Sequence, residues 1–201
     1  LLHRAGDHAG VCELLATRSR RELATLGTPL LGALLEAAPD AAVAAHPQLL
    51  IELARLAESD PGARAGFLGR GADLLTSGTP QRRALDAELA LDLERNGALD
   101  AAEELASTVI ATSPTDEALT RARAHLARGL ALLLRDTAGA TSECARHFDL
   151  AAALFHLAGE HDWEAYAHQC LGYGCHFTTG AFELAVARIE SALALTAAPG
   201  A

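Results

Sequence analysis

Leucine- and alanine-rich stretches recur along this chain at intervals of roughly 15–20 residues, each closed by Gly, Pro or Asp. That punctuation constrains the fold more than any other feature. Within the stretches the apolar residues fall at three- and four-residue steps. Leu49, Leu50, Leu53 and Leu56, for example, paint one stripe along a helix. Aromatics make up only 4% of the chain and Val, Ile and Tyr are scarce, a bias away from strand formers. With 201 residues, half of them hydrophobic, the chain can bury a substantial core as one continuous array. The expectation is an all-α fold, a right-handed stack of antiparallel helix pairs over 1–201, with no sheet.

The spacing predicts helices over 8–26, 28–37, 46–58, 61–76, 80–95, 98–112, 115–134, 139–158, 161–178 and 181–196. Thr28-Pro29 and Thr79-Pro80 each place a hydroxyl before a proline in the first helical turn, where its missing N–H costs nothing. Ser59-Asp60-Pro61 and Ser113-Pro114 stop one helix and supply caps for the next, and His46-Pro47 opens another.

The best-defined repeat runs from Leu89 to Pro114. Leu89, Ala90 and Leu93 form one helix face, Gly97 permits a tight turn, and Leu99, Ala102 and Val109 face back. A second copy has Leu171-Gly172, Cys175, Gly180, Phe182, Ala185 and Ala192. Residues 126–152 form a degraded copy with a longer turn over 135–142. These offsets resemble the tetratricopeptide repeat, whose Leu-Gly/Ala pair, turn glycine, alanine and closing proline recur at such spacings. The resemblance implies a tetratricopeptide-like α-solenoid.

The chain as a whole also resembles the helical-repeat region of large bacterial regulators, the MalT-like and related LuxR-type ATP-dependent activators. The residues that carry this are the Ala5-Gly6-Asp7 turn, the leucine-rich run from Leu26 to the His46-Pro47 helix start, and the segment holding Gly159-Glu160, Trp163 and Leu171-Gly172. The resemblance implies that the region binds an inducer or partner protein and transmits that state to an ATPase and a DNA-binding domain elsewhere in a longer protein. A start at Leu1 and a lack of methionine also suggest a fragment. The alternative reading is a free-standing scaffold or adaptor that binds peptides.

The formal net charge of -10 opposes the counterion release that gives proteins their general affinity for nucleic acid, so no direct nucleic-acid binding is expected. Charged residues interrupt every leucine-rich run, so no membrane span is expected either. Cys12, Cys144, Cys170 and Cys175 lack the spacing of a secreted disulfide framework, which points to a reducing cytoplasm. Homo-oligomerisation is left open.

A repeat array binds on the concave face formed by the first helix of each pair. On an α-helical period Tyr166, Gln169, Tyr173 and His176 share one face, and Arg121 and Arg128 occupy the equivalent line one copy earlier. Guanidiniums beside phenols suit an anionic or aromatic small molecule or an acidic peptide terminus. Alternatively, the tyrosines fill a seam between helices and the arginines pair with Asp116 or Glu117. His168, Cys170, Cys175 and His176 resemble a metal cluster in composition, but on an α-helix Cys170 and Cys175 point about 140° apart, so no metal and no cofactor is assigned. His156, His161 and Asp162 lie near Glu160 and Glu164 around a turn. A proton-transfer site there would need one of them buried and oriented, whereas the turn is expected to be exposed. Nucleophile elbows, HExxH and phosphate loops are missing, and the glycines of 66–71 are expected to permit close helix packing. The sequence therefore reads as a binder and not as an enzyme. Trp163 is expected to pack its helix start against the preceding pair.

Overall fold

A computed structural model describes residues 6–135 and 140–197. Among these the chain forms twelve α-helices and one π-helical segment, with no strand. It divides into two compact units, Leu1–Glu88 and Leu89–Ala201. No helix among the described residues is long and apolar enough to cross a membrane.

The first unit holds α1 (His8–Ala16), α2 (Arg20–Leu26), α3 (Thr28–Glu36), α4 (Asp40–Ala44), α5 (Gln48–Leu56) and α6 (Pro61–Leu74), and α7 (Pro80–Arg95) begins in it. Its core gathers Cys12, Leu15, Leu23, Leu31, Leu35, Val43, Leu49, Leu50 and Leu53, with Phe67 and Leu74 packed against them. The helix expected over 8–26 is two helices. Ser19 accepts from the Glu22 N–H while the Glu22 carboxylate accepts from the Ser19 N–H at 2.8 Å, a capping box that starts a new helix at Arg20. The short helix α4 was not anticipated, because five residues leave no periodic stripe.

The expected caps are met in part. Asp60 accepts from the Ala63 N–H at 3.0 Å, and the Thr79 hydroxyl accepts from the Arg82 N–H at 3.2 Å. Thr28, by contrast, lies inside α3, and Gly27 with φ +78° takes the N-cap position. Glycine has that position because the left-handed region is open to it without a steric cost. Of the glycines at 66–71, only Gly71 sits in a close approach. A Cβ there would meet Leu85 at 2.7 Å, while Gly66 and Gly69 face open space.

The second unit holds α8 (Leu99–Thr112), α9 (Ala118–Leu134), α10 (Ala140–Ala158), α11 (His161–Gln169), the π segment Cys170–Phe177 that continues it, and α12 (Phe182–Thr196). Successive helices from α8 to α12 pack on one another, and α9 is the inner helix, with Thr120, Ala122–Leu126, Ala127, Gly129, Ala131 and Leu132 all buried. Small residues set the approaches. A Cβ on Gly129 would meet the Phe148 ring at 2.7 Å, and one on Gly172 would lie 3.2 Å from the Ala185 carbonyl oxygen. The face of α7 differs from expectation. Ala87, Ala90, Leu91 and Glu94 are buried while Leu89 and Leu93 are half-buried, so the stripe is turned by about one residue. Ser113 ends α8 without capping the next helix, and its hydroxyl is buried with no hydrogen-bond partner. Half of the expected turn over 135–142, residues 136–139, lies outside the described residues.

Candidate functional site

The residues singled out on the concave line fall into two groups. Arg128 is held by carboxylates, with its guanidinium 3.0 Å from Glu143 and 3.6 Å from Glu103. These are not the partners Asp116 and Glu117 that the helix spacing suggested. Arg121 is half-buried with a buried Nε that has no hydrogen-bond partner. Both arginines lie near His125 and add to the depression of its pKa. Tyr166, 40% exposed, meets the Trp163 ring edge-on at 5.9 Å and hydrogen-bonds the Cys170 thiol; burial, and then the charge and bond of Cys170, raise its pKa. Burial pushes Cys170 itself up to about 11. Gln169 is exposed, Tyr173 is 59% exposed, and His176 is half-buried. Among the described residues no hydrogen bond or ion pair joins these arginines to these tyrosines.

The π segment explains part of the discrepancy. Each residue of a π-helix advances the chain by less than the 100° of an α-helix, so Tyr173 and His176 rotate off the line that Tyr166 and Gln169 begin. The same change re-aims Cys175, whose Sγ lies 2.9 Å from that of Cys144 on α10. Cys170 is engaged with Tyr166, so the cysteines and histidines of 168–176 do not converge on one point.

Behind this surface α9 and α10 enclose a polar centre. His125 and His147 are 4% and 1% exposed, and their Nδ1 atoms are 2.8 Å apart. Arg146 reaches His147 Nε2 at 3.3 Å, which makes that nitrogen the acceptor. His147 then donates from Nδ1 to His125, so both rings are neutral. Burial, reinforced by His147 and the arginines 121, 146 and 128, lowers His125 to about 3; burial with Arg128 and Arg146 lowers His147 to about 4. Beside them the Arg123 guanidinium stands 4.4 Å over the Trp163 ring, which stacks on Phe155 of α10 at 6.0 Å. Trp163 therefore does tie the start of α11 to the preceding helices, in the role expected of it.

At the turn from α10 to α11, Glu164 is buried and His156 and His161 converge on its carboxylate, each with Nδ1 3.2 Å away. The turn itself is exposed, as expected, and both imidazoles with it. What the sequence reading missed is that Glu164, one helical turn after His161, points inward. The available signal was the spacing His-x4-His-x2-Glu across a Gly159 turn with φ +72°. A cavity of about 480 Å³ opens beside the cluster, lined in part by Asp149, His168 and Arg188. His168 is half-buried, has a buried Nδ1 without a partner, and has its pKa lowered by burial and then by Arg188.

In the first unit a separate cavity of about 500 Å³ lies between α3 and α6, lined by Gly32, Ala33, Gly66, Phe67 and Arg70 among others. Its volume suits a small ligand. Arg70 closes one side by donating to the Leu35 and Ala38 carbonyls at 2.5 and 2.9 Å.

No family model, no curated protein and no solved structure matches the chain.

Proposed function

We propose that the chain is a non-catalytic, tetratricopeptide-like helical-repeat module, a right-handed stack of antiparallel helix pairs. In this reading it binds a small-molecule inducer or a protein or peptide partner within a cytoplasmic bacterial transcription regulator of the MalT-like type, whose ATPase and DNA-binding domains lie in other segments. The order of helix packing in the second unit and its small-residue approaches at Gly172 and Gly129 support the repeat architecture. The observation that carries the binding role is the phenol area left uncovered at two places, one on α11 and one on the π segment. Tyr166 is 40% exposed beside exposed Gln169, and Tyr173 is 59% exposed on the face to which the π segment turns it. Tyrosines on a rigid helix offer apolar area with a polar tip at low entropic cost, which is the chemistry of binding anchors.

The test is to screen the chain against small metabolites and partner peptides and then compare Tyr173→Ala with Arg128→Ala. Tyr173→Ala is expected to weaken binding by tenfold or more with the fold intact. Arg128→Ala is expected to act less, because Glu143 and Glu103 already engage its guanidinium. A bound ligand whose affinity neither substitution alters overturns this surface.

A further inference from the structure

We infer that His156, His161 and Glu164 form a binding site for a divalent first-row transition-metal ion such as zinc. Three donors of the right kind meet at one place: two imidazole nitrogens and a carboxylate, whose candidate ligand atoms all lie within 4.8 Å of one another. In a tetrahedral zinc site, metal–ligand distances of about 2.0–2.1 Å put neighbouring ligand atoms about 3.3 Å apart. Both imidazole Nδ1 atoms lie 3.2 Å from the same carboxylate oxygen, Glu164 Oε2, so two edges of that tetrahedron are already present.

The positions also suit the role. Glu164 supplies its charge from a buried side chain, 10% exposed, whose orientation α11 fixes. The imidazoles, 64% and 45% exposed, sit on the solvent side, where an ion can enter. In the ion-free site each Nδ1–H donates to the carboxylate. Ion binding frees both Nδ1 lone pairs when the ring proton of each imidazole sits on its Nε2. A carboxylate and two neutral imidazoles leave a divalent ion with one net positive charge and at least one open coordination position. His156 and Glu164 also line the cavity of about 480 Å³, together with His168, Asp149 and Arg188. Two nitrogens and one oxygen favour zinc, nickel, copper or iron over calcium or magnesium, which prefer all-oxygen sites. The site stands independently of the binding surface proposed above.

The experiment titrates the full chain with Zn²⁺ by calorimetry and with Co²⁺ by visible absorption, at pH 7.5. Wild type is expected to bind one ion, with the Co²⁺ bands of a low-symmetry, four- or five-coordinate site. His156→Ala and His161→Ala should each weaken binding at least tenfold, and His46→Ala should leave it unchanged. Circular dichroism checks the fold, and His156→Gln serves in place of any variant that fails to fold. Absence of one-to-one binding, or equal affinity in wild type and both imidazole variants, overturns the site and leaves only adventitious surface binding.

Discussion

The Sγ atoms of Cys144 and Cys175 lie 2.9 Å apart, a thiol–thiol contact between α10 and the π segment, with both residues buried. The contact polarises the pair. The Cys175 hydrogen bond holds Cys144 below the usual thiol range, while the same bond and burial push Cys175 above it. Thiolate character alone would make Cys144 the most reactive cysteine, but a reagent must reach it. The four free thiols are therefore expected to react slowly with an aromatic disulfide reagent in the native state. Cys12, Cys144 and Cys175 are shielded by burial and Cys170 by a pKa of about 11. All four should react at once in denaturant. Rapid native labelling of Cys144 would show that the helix pair opens readily.

Within the first unit a buried ion network ties α5 and α6 to Glu88, midway along α7. Glu88 is fully buried and meets Arg55 at 2.8 Å and Arg64 at 3.3 Å; Arg64, 2% exposed, also donates to the Ala54 carbonyl at 2.8 Å. Glu88→Ala removes the buried carboxylate that Arg55 and Arg64 share, leaving Arg55 with Glu52 at 2.5 Å, and is expected to cost about 3–5 kcal/mol. Asp100→Ala, which removes a 95% exposed partner of Arg135, should cost under about 1 kcal/mol. Urea denaturation of both variants checks the contrast.

The helical character and most helix positions were legible because they rest on local signals: leucine periodicity, prolines at first turns, and turn glycines. Gly97 and Gly180 do adopt φ +78° and +79°. The break at Ser19 was equally local, and Ser19-x-x-Glu22 was readable as a capping box. The site was harder to read because it depends on side-chain direction across helices. The π segment alters the angular advance after Gln169, and no periodicity in the sequence announces it. The inward turn of Glu164 and the pairing of His125 with His147 are contacts between helices, which a single-helix face cannot reveal.

Glycine substitutions separate packing from propensity. A Cβ on Gly172 would meet Ile189 at 3.1 Å and the Ala185 carbonyl at 3.2 Å, so Gly172→Leu should overpack this crossing and cost roughly 1–3 kcal/mol. Gly69 lies inside α6 with nothing near its missing Cβ, so Gly69→Ala should stabilise by about 0.5–1 kcal/mol through chain entropy. Denaturation midpoints moving in opposite directions are the expected result, and an unchanged midpoint for Gly172→Leu would contradict the close approach.

The His125–His147 pair makes stability depend on pH. Their native pKa values are lowered to about 3 and about 4, against about 6.5 for an unperturbed imidazole in the unfolded chain. Between those limits the unfolded state binds protons that the native state does not, so stability rises with pH. It is fully present above about pH 6.5 and is lost as pH falls below it, with the loss continuing towards pH 4. Well inside that window each histidine contributes a slope of about 1.4 kcal/mol per pH unit. The groups facing the pair are Arg121, Arg128 and Arg146, with Glu143 3.8 Å from His147. Urea midpoints of wild type should therefore fall between pH 7.5 and 5. In the double variant His125→Leu/His147→Leu most of that slope should vanish, and His168, whose pKa burial also lowers, contributes to what remains. A double variant that keeps the full wild-type slope would mean that the two rings are not the groups held neutral by the fold.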